Sequence, residues 1–144
     1  MTMTPHGRTQ TVLRYDSAQL LVARAIAHAE ESGWRVAVAV LDPAGHMLAA
    51  GRMDGVPPPI LDTASDKAFT ATLGKTSLAF GERMASSKSL ELGLSTRQRL
   101  VAWEGGVPIR EQGALIGAIG VSGAQGHEDA ACAMAAIEAL DLAC

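Results

Sequence analysis

The sequence predicts an α/β domain of the α+β type, in which helices pack around a mostly antiparallel sheet of five strands. Two observations lead to this class. Short segments rich in Val, Ile and Ala are joined by tight turns, as in hairpins, and do not alternate regularly with helices as in dinucleotide-binding folds. Longer segments with apolar residues at helical spacing lie before, between and after these strands.

The composition fits one domain with its own core, because the chain has 144 residues of which 48% are hydrophobic. We expect a flexible tail at residues 1–12 and one domain at residues 13–144. The net charge of −3 and the lack of a basic run disfavour nucleic acid and membrane surfaces as partners. The polar start does not resemble a signal peptide, so a cytoplasmic location is expected.

The first half of the chain predicts a helix, a hairpin and a second helix. Asp16 and Ser17 are typical helix caps, and Gly33 is a typical helix terminator. The segment WRVAVAVL has the density of apolar residues of a buried strand, and the turn DPAG leads into a returning strand. Three consecutive prolines then precede another helical pattern. The predicted bounds are strands at 34–41 and 46–52 and a helix at 60–73.

The second half predicts three strands and a final helix. A short helix capped by Thr76 is followed by a polar loop at 85–99 that has room for one helical turn. Gly117 and Gly120 interrupt the last strand, which indicates that another backbone or a ligand comes close to it. The predicted bounds are strands at 100–104, 107–111 and 114–121 and a helix at 128–142.

Several polar residues are candidates for binding an anionic ligand. Lys67 and Thr70 share the second long helix, and Arg52 has a fork of donors that matches a carboxylate. Gly105 and Gly106 bend the chain and expose backbone N–H groups. These observations predict a cavity between the glycine-rich strands and this helix, in which a flat ligand lies. Another subunit on the glycine-rich surface is the alternative.

An acid–base enzyme is a second interpretation of the same region. Arg52 or Lys67 would hold a small carboxylate, while Asp66, Glu104 or a histidine moves the proton. Asp66, Lys67 and Glu104 are the candidate catalytic groups. The simpler alternative is an exposed charge pair beside a buried threonine.

Four segments stand in this order: GWRVAVAVLDPAGHMLAAGRMDG, ASDKAFTATLGK, EGGVPI and GALIGAIGVSGAQGHEDAACA. Together they resemble the GlcG/HbpS-like family, which includes the C-terminal domain of PduO-type proteins and is described as haem-binding or haem-degrading. The resemblance covers residues 16 to about 140. It implies a profilin-like fold with a five-stranded sheet, self-association into dimers or larger assemblies, and haem as the cofactor.

Two histidines are candidate haem-binding residues under this resemblance. His28, on the first helix, would offer an imidazole nitrogen to the haem iron, and His46 opens the second strand after a turn. Each also has a simpler interpretation, as a surface histidine near a helix end or a solvated turn residue. Three functions therefore stay open: a haem-binding protein, an enzyme or accessory factor acting on 2-oxo or hydroxy acids, and an oligomeric scaffold without a ligand.

Overall fold

Four antiparallel strands form the sheet in the computed structural model, which describes residues 3–144. Their order across the sheet is β2-β1-β4-β3, and every neighbouring pair is antiparallel. The elements in chain order are α1 (Tyr15–Ser32), β1 (Ala37–Leu41), β2 (Met47–Arg52), α2 (Pro58–Ala71), α3 (Ser77–Met84), α4 (Lys88–Leu94), β3 (Gly106–Glu111), β4 (Ala114–Ser122) and α5 (Gly126–Ala139).

The two faces of the sheet differ in side-chain size, because successive residues of a strand point to opposite faces. Val38 and Val40 of β1 belong to the larger core cluster, together with residues of α1 and α5. Ala39 points the other way, toward α2. The register places Ala39 opposite Gly120, and Gly120 opposite Gly106, so three adjacent strands present almost no side chain to α2.

Helix α2 therefore contacts the backbone of the sheet directly. A Cβ atom on Gly120 would lie 2.0 Å from the carbonyl oxygen of Ala64, and one on Gly106 would lie 2.1 Å from that of Lys67. Real Cβ contacts are never this short, so these two positions require glycine. The cavity predicted between the glycine-rich strands and this helix is absent at both positions, because backbone contacts fill the space.

The predicted strand at residues 100–104 is wrong, and the sheet has four strands where five were expected. This segment runs across α2 and α3, whose side chains bind its backbone groups in place of a neighbouring strand. The Val101 N–H donates to Thr70 Oγ1 at 2.9 Å, and Ser77 Oγ donates to the Trp103 carbonyl at 2.6 Å. Because these side chains bind the N–H and C=O groups of its backbone, the extended apolar segment does not need a neighbouring strand and lies outside the sheet.

Most predicted helices are confirmed, with shifted ends. Helix α1 ends at Gly33 as expected, but it begins at Tyr15 without a side-chain cap. Two of the three consecutive prolines lie in the first turn of α2, where a missing N–H costs little. The polar loop expected at 85–99 contains α4, which Ser87 caps. Among the helices of residues 3–144, none is long and apolar enough to cross a membrane.

The close packing of α2 predicts a large effect of one methyl group. We expect Gly120→Ala to lower the free energy of unfolding by about 3 kcal/mol, because the added Cβ meets rigid backbone. Gly93, in α4, has open space around it, so Gly93→Ala should change stability by less than about 1 kcal/mol, in the stabilising direction. Urea denaturation of both variants measures the difference, and equal effects would contradict the backbone contact.

Candidate functional site

Two clefts open along α2, and one of them contains Lys67 and Glu104, two of the residues singled out in the sequence. The first, which we name the Trp103 cleft, has a volume of about 410 Å³. The second, the Phe69 cleft, has a volume of about 530 Å³. The Trp103 cleft is lined by Lys67, Ala102, Trp103, Glu104, Ser122, Ala124, Gly126 and Asp129. The Phe69 cleft is lined by Phe69, Leu73, Thr96, Arg97, Gln98, Arg99 and Leu100.

A buried ion pair forms the floor of the Trp103 cleft. Lys67 Nζ lies 3.0 Å from Asp129 Oδ2, and the two side chains are 4% and 2% exposed. Lys67 Nζ also donates to the Val121 carbonyl at 3.0 Å, and Asp129 Oδ1 accepts the Ala124 N–H at 3.0 Å. The pair thereby joins α2 to the first turn of α5, two helices that pack on opposite faces of the sheet.

Burial and charge act in opposite directions on Asp129. Removal from water raises the pKa of its carboxyl group, while the Lys67 ammonium and the bond from Ala124 lower the same pKa, with burial as the larger effect. Gly105 makes room for the lysine, since a Cβ there would lie 3.0 Å from Lys67 Nζ. The ammonium group of Lys67 therefore binds other groups of the protein, and the Asp129 carboxylate largely neutralises its charge.

The rim of the Trp103 cleft carries a carboxylate and an exposed indole. The Trp103 residue is 66% exposed. Glu104 approaches the first residue of α5, where its Oε1 is 3.5 Å from the position of a Cβ on Gly126. The positive end of a helix dipole favours a negative charge at this place. Within residues 3–144, no hydrogen bond or ion pair binds the Glu104 carboxylate.

The Phe69 cleft combines an aromatic ring with a fixed arginine. The Arg99 guanidinium lies 4.1 Å from the centre of the Phe69 ring, a cation–π contact. It also donates to Asp66 Oδ1 at 3.3 Å and to Ser65 Oγ at 3.1 Å. These contacts hold the side chain of Arg99 in one orientation at the wall of the cleft.

The β1–β2 turn lies against the same aromatic ring. A Cβ on Gly45 would be 2.8 Å from the Phe69 ring, so the residues of this turn reach the edge of the Phe69 cleft. His46 directly follows Gly45, and its side chain is 81% exposed. Its Nδ1 lies 3.6 Å from Asp42 Oδ2, and the other oxygen of Asp42 accepts the N–H of Ala44 and that of His46. The carboxylate beside this histidine is therefore fixed.

The three candidate catalytic residues do not converge. Lys67 and Glu104 line the Trp103 cleft, whereas Asp66 binds Arg99 at the Phe69 cleft. Gly106 does not face a cavity, because it packs against Lys67, and Thr70 is fully buried. These polar groups are close together in sequence but lie at two different sites in the structure.

The remaining candidates lie away from both clefts or at their margin. His28 is half-buried on α1, with its ring 5.9 Å from that of Trp34, on the face of the sheet opposite α2. Arg52 Nη1 donates to the carbonyl of Val56 and so holds the loop that leads into α2.

Sequence reasoning missed Asp129 and Arg99. Asp129 lies in the first turn of α5, where an acidic residue is common, and its partner is 62 residues away along the chain. Arg99 lies in a polar segment with no periodic pattern. No local signal distinguishes either residue from an ordinary surface charge. A buried lysine needs an acidic partner, but the sequence does not identify which residue that is.

Comparison with known proteins shows the family. The sequence model described as "Haem degrading protein HbpS-like" matches residues 13–138. Protein GlcG of Escherichia coli K12 is 36% identical over 115 residues, which are 80% of this chain and 84% of GlcG. The chain therefore belongs to the HbpS-like family.

Solved structures show the same fold. The chain is similar to a Streptomyces reticuli HbpS double mutant with a TM-score of 0.84 and 30% identity, covering 97% of both chains. It is also similar in fold to PduOC, solved as a haem complex, with a TM-score of 0.84, 23% identity and coverage of 92% of this chain and 98% of PduOC. These similarities extend over nearly the whole chain.

The buried ion pair predicts strong coupling between its two members. We expect Lys67→Met to cost about 3–5 kcal/mol, because it leaves the Asp129 carboxylate buried without a counter-charge. The double variant Lys67→Met/Asp129→Leu should cost less than the sum of the two single changes. Urea denaturation of the four proteins measures the coupling, with exposed Lys75→Met as the control. Additive effects would contradict it.

Cys132, one turn beyond Asp129, is buried, so we expect the two cysteines of the chain to differ in reactivity. Burial, followed by the nearby charges of Asp129 and Glu128, raises the pKa of Cys132 to about 11, whereas Cys144 is exposed. Since the thiolate is the nucleophile, we expect one reactive thiol per native chain at about pH 8, and two after unfolding. Titration with a disulfide reagent counts them. Cys144→Ser should remove the native signal, and its persistence would contradict burial of Cys132.

Proposed function

We propose that this chain binds haem and that the Phe69 cleft is the binding site. One observation carries the proposal: the cleft combines apolar Phe69, Leu73 and Leu100 with two arginines, Arg97 and Arg99. Haem is a flat, largely apolar macrocycle with two carboxylates, so it requires an apolar surface and cations at the edge. The other cleft does not offer this combination, since its cation, Lys67, is buried together with its carboxylate partner, whereas Arg99 is partly exposed.

The two arginines have different roles in this proposal. Arg99 is held by Phe69, Ser65 and Asp66, so it presents a preoriented cation at the wall. Arg97 is exposed, and its Nε lies 3.4 Å from Thr96 Oγ1, at the outer limit of a hydrogen bond. Its guanidinium is available to a carboxylate of the ligand. Thr70, a predicted binding residue, acts here as a positioning residue.

We propose that His46 would bind the haem iron. The turn carrying His46 lies against Phe69, and the exposed imidazole is free to turn toward the cleft. Asp42 Oδ2 lies 3.6 Å from Nδ1, on one side of the ring, so Nε2 on the other side would be the nitrogen that binds the iron. Bound haem would supply an iron centre capable of electron transfer or of binding a diatomic gas.

His28 is the alternative ligand, and its environment supports it less well. Its ring packs against Trp34, and α1 lies across the sheet from α2. One haem therefore cannot reach both His28 and the arginines of the Phe69 cleft. The family description and the PduOC haem complex support haem as the ligand, without indicating which face binds it.

A haemin titration of the full chain tests this proposal. We expect a shifted Soret band that saturates at one haem per chain. His46→Ala should weaken binding at least about tenfold, because the iron loses its nitrogen ligand, while His28→Ala should leave the affinity unchanged. Arg97→Gln should weaken binding without changing the ligand-dependent band position. A titration without saturation would refute haem binding, and sensitivity to His28→Ala alone would move the site to α1.

A further inference from the structure

The Trp103 cleft has no role in haem binding as proposed above, yet its lining is chemically specific. We propose that it is a second ligand site, which binds a small organic ammonium ion. In this site Glu104 is the counter-ion, Trp103 is an aromatic wall and Ser122 is a polar contact at the floor. The inference rests on the charges, exposure and hydrogen bonds of these residues and is independent of haem.

The charges in the cleft favour a cation. Its lining contains one ammonium group, that of Lys67, and two carboxylates, those of Asp129 and Glu104. Lys67 and Asp129 neutralise each other at 3.0 Å. The charge of Glu104 is left without a counter-ion among the residues that the structure describes. A ligand entering the cleft therefore meets one excess negative charge, which the amino end of α5 offsets only in part and which favours a cation over a carboxylate.

The aromatic wall is exposed on a fixed backbone. Ser77 Oγ donates to the Trp103 carbonyl at 2.6 Å and accepts the Gly106 N–H at 2.8 Å, so the segment is held on both sides of Glu104. The Trp103 residue is nevertheless 66% exposed. The face of an indole is the preferred aromatic partner of an ammonium ion. An exposed indole next to an unpaired carboxylate thus matches this ligand class.

A buried hydroxyl group gives a second, independent indication of a ligand. Ser122 is 5% exposed and lines the cleft. Within residues 3–144 its hydroxyl makes no hydrogen bond, and the hydroxyl oxygen is not completely shielded from solvent. The hydroxyl therefore opens toward the cleft, where it can accept a hydrogen bond from a primary ammonium group.

The same residues argue against a bare metal ion. Divalent cations prefer several oxygen ligands, but both oxygens of Asp129 already accept hydrogen bonds, from Lys67 and Ala124. Glu104 is then the single available carboxylate in the lining. The volume of about 410 Å³ and the apolar Trp103 leave room for the carbon atoms of an organic cation.

Nuclear magnetic resonance of the full, haem-free chain tests this inference with ethylammonium chloride as the probe. The indole N–H signals of Trp103 and Trp34 report on the cleft and on a residue outside its lining, and Trp34→Phe assigns them. We expect a saturable shift of the Trp103 signal alone, beyond that caused by sodium chloride at equal ionic strength. Glu104→Gln should weaken binding at least about tenfold, because it removes the counter-ion but keeps the shape.

Glu138→Gln is the matched control, since Glu138 is exposed on α5 and lines neither cleft. It should leave the affinity unchanged, and an unchanged Trp34 signal in Glu104→Gln shows that this variant is folded. An equal, saturable response to sodium acetate would overturn the inference, as would a linear response or an unaffected Glu104→Gln. Because no haem is present, failure of the haem titration does not affect this result.

Discussion

The structure depends on the direct contact between α2 and the backbone of the sheet. Valines and isoleucines on the other face form a conventional core with α1 and α5. On the α2 face, Ala39, Gly106 and Gly120 lie side by side across three strands. The helix can approach so closely only because these positions lack side chains beyond a methyl group. This contact sets the distance between α2 and the sheet.

One consequence is that α2 separates two sites that the sequence presents as one. Asp66 and Lys67 are consecutive, but the first binds Arg99 at the Phe69 cleft and the second reaches past Gly105 to Asp129. Consecutive residues of a helix point about 100° apart, so two neighbours in the sequence have different surroundings. The hypothesis of a single acid–base centre made of Asp66, Lys67 and Glu104 loses its geometric basis, while both clefts keep features of ligand sites.

The sequence predicted the hairpin, the long helices and the family, because these depend on local patterns such as WRVAVAVL and DPAG. It also indicated that something approaches the last strand closely at Gly120, and the structure identifies this neighbour as the backbone of α2. The five-stranded sheet was wrong, because apolar content at 100–104 does not reveal that Thr70 and Ser77 bind its backbone. Pairing of Lys67 with Asp129 has no local signature. Self-association stays a prediction.

The steric requirement at Gly106 and Gly120 also constrains how this protein can diverge. A single added methyl group at either position displaces the whole helix, since the obstacle is main chain and cannot change rotamer. Such a displacement carries Lys67 away from its acidic partner and alters the walls of both clefts together. For the ligands proposed above, mutations in the interior of the sheet would therefore change selectivity from a distance, without contact with either ligand.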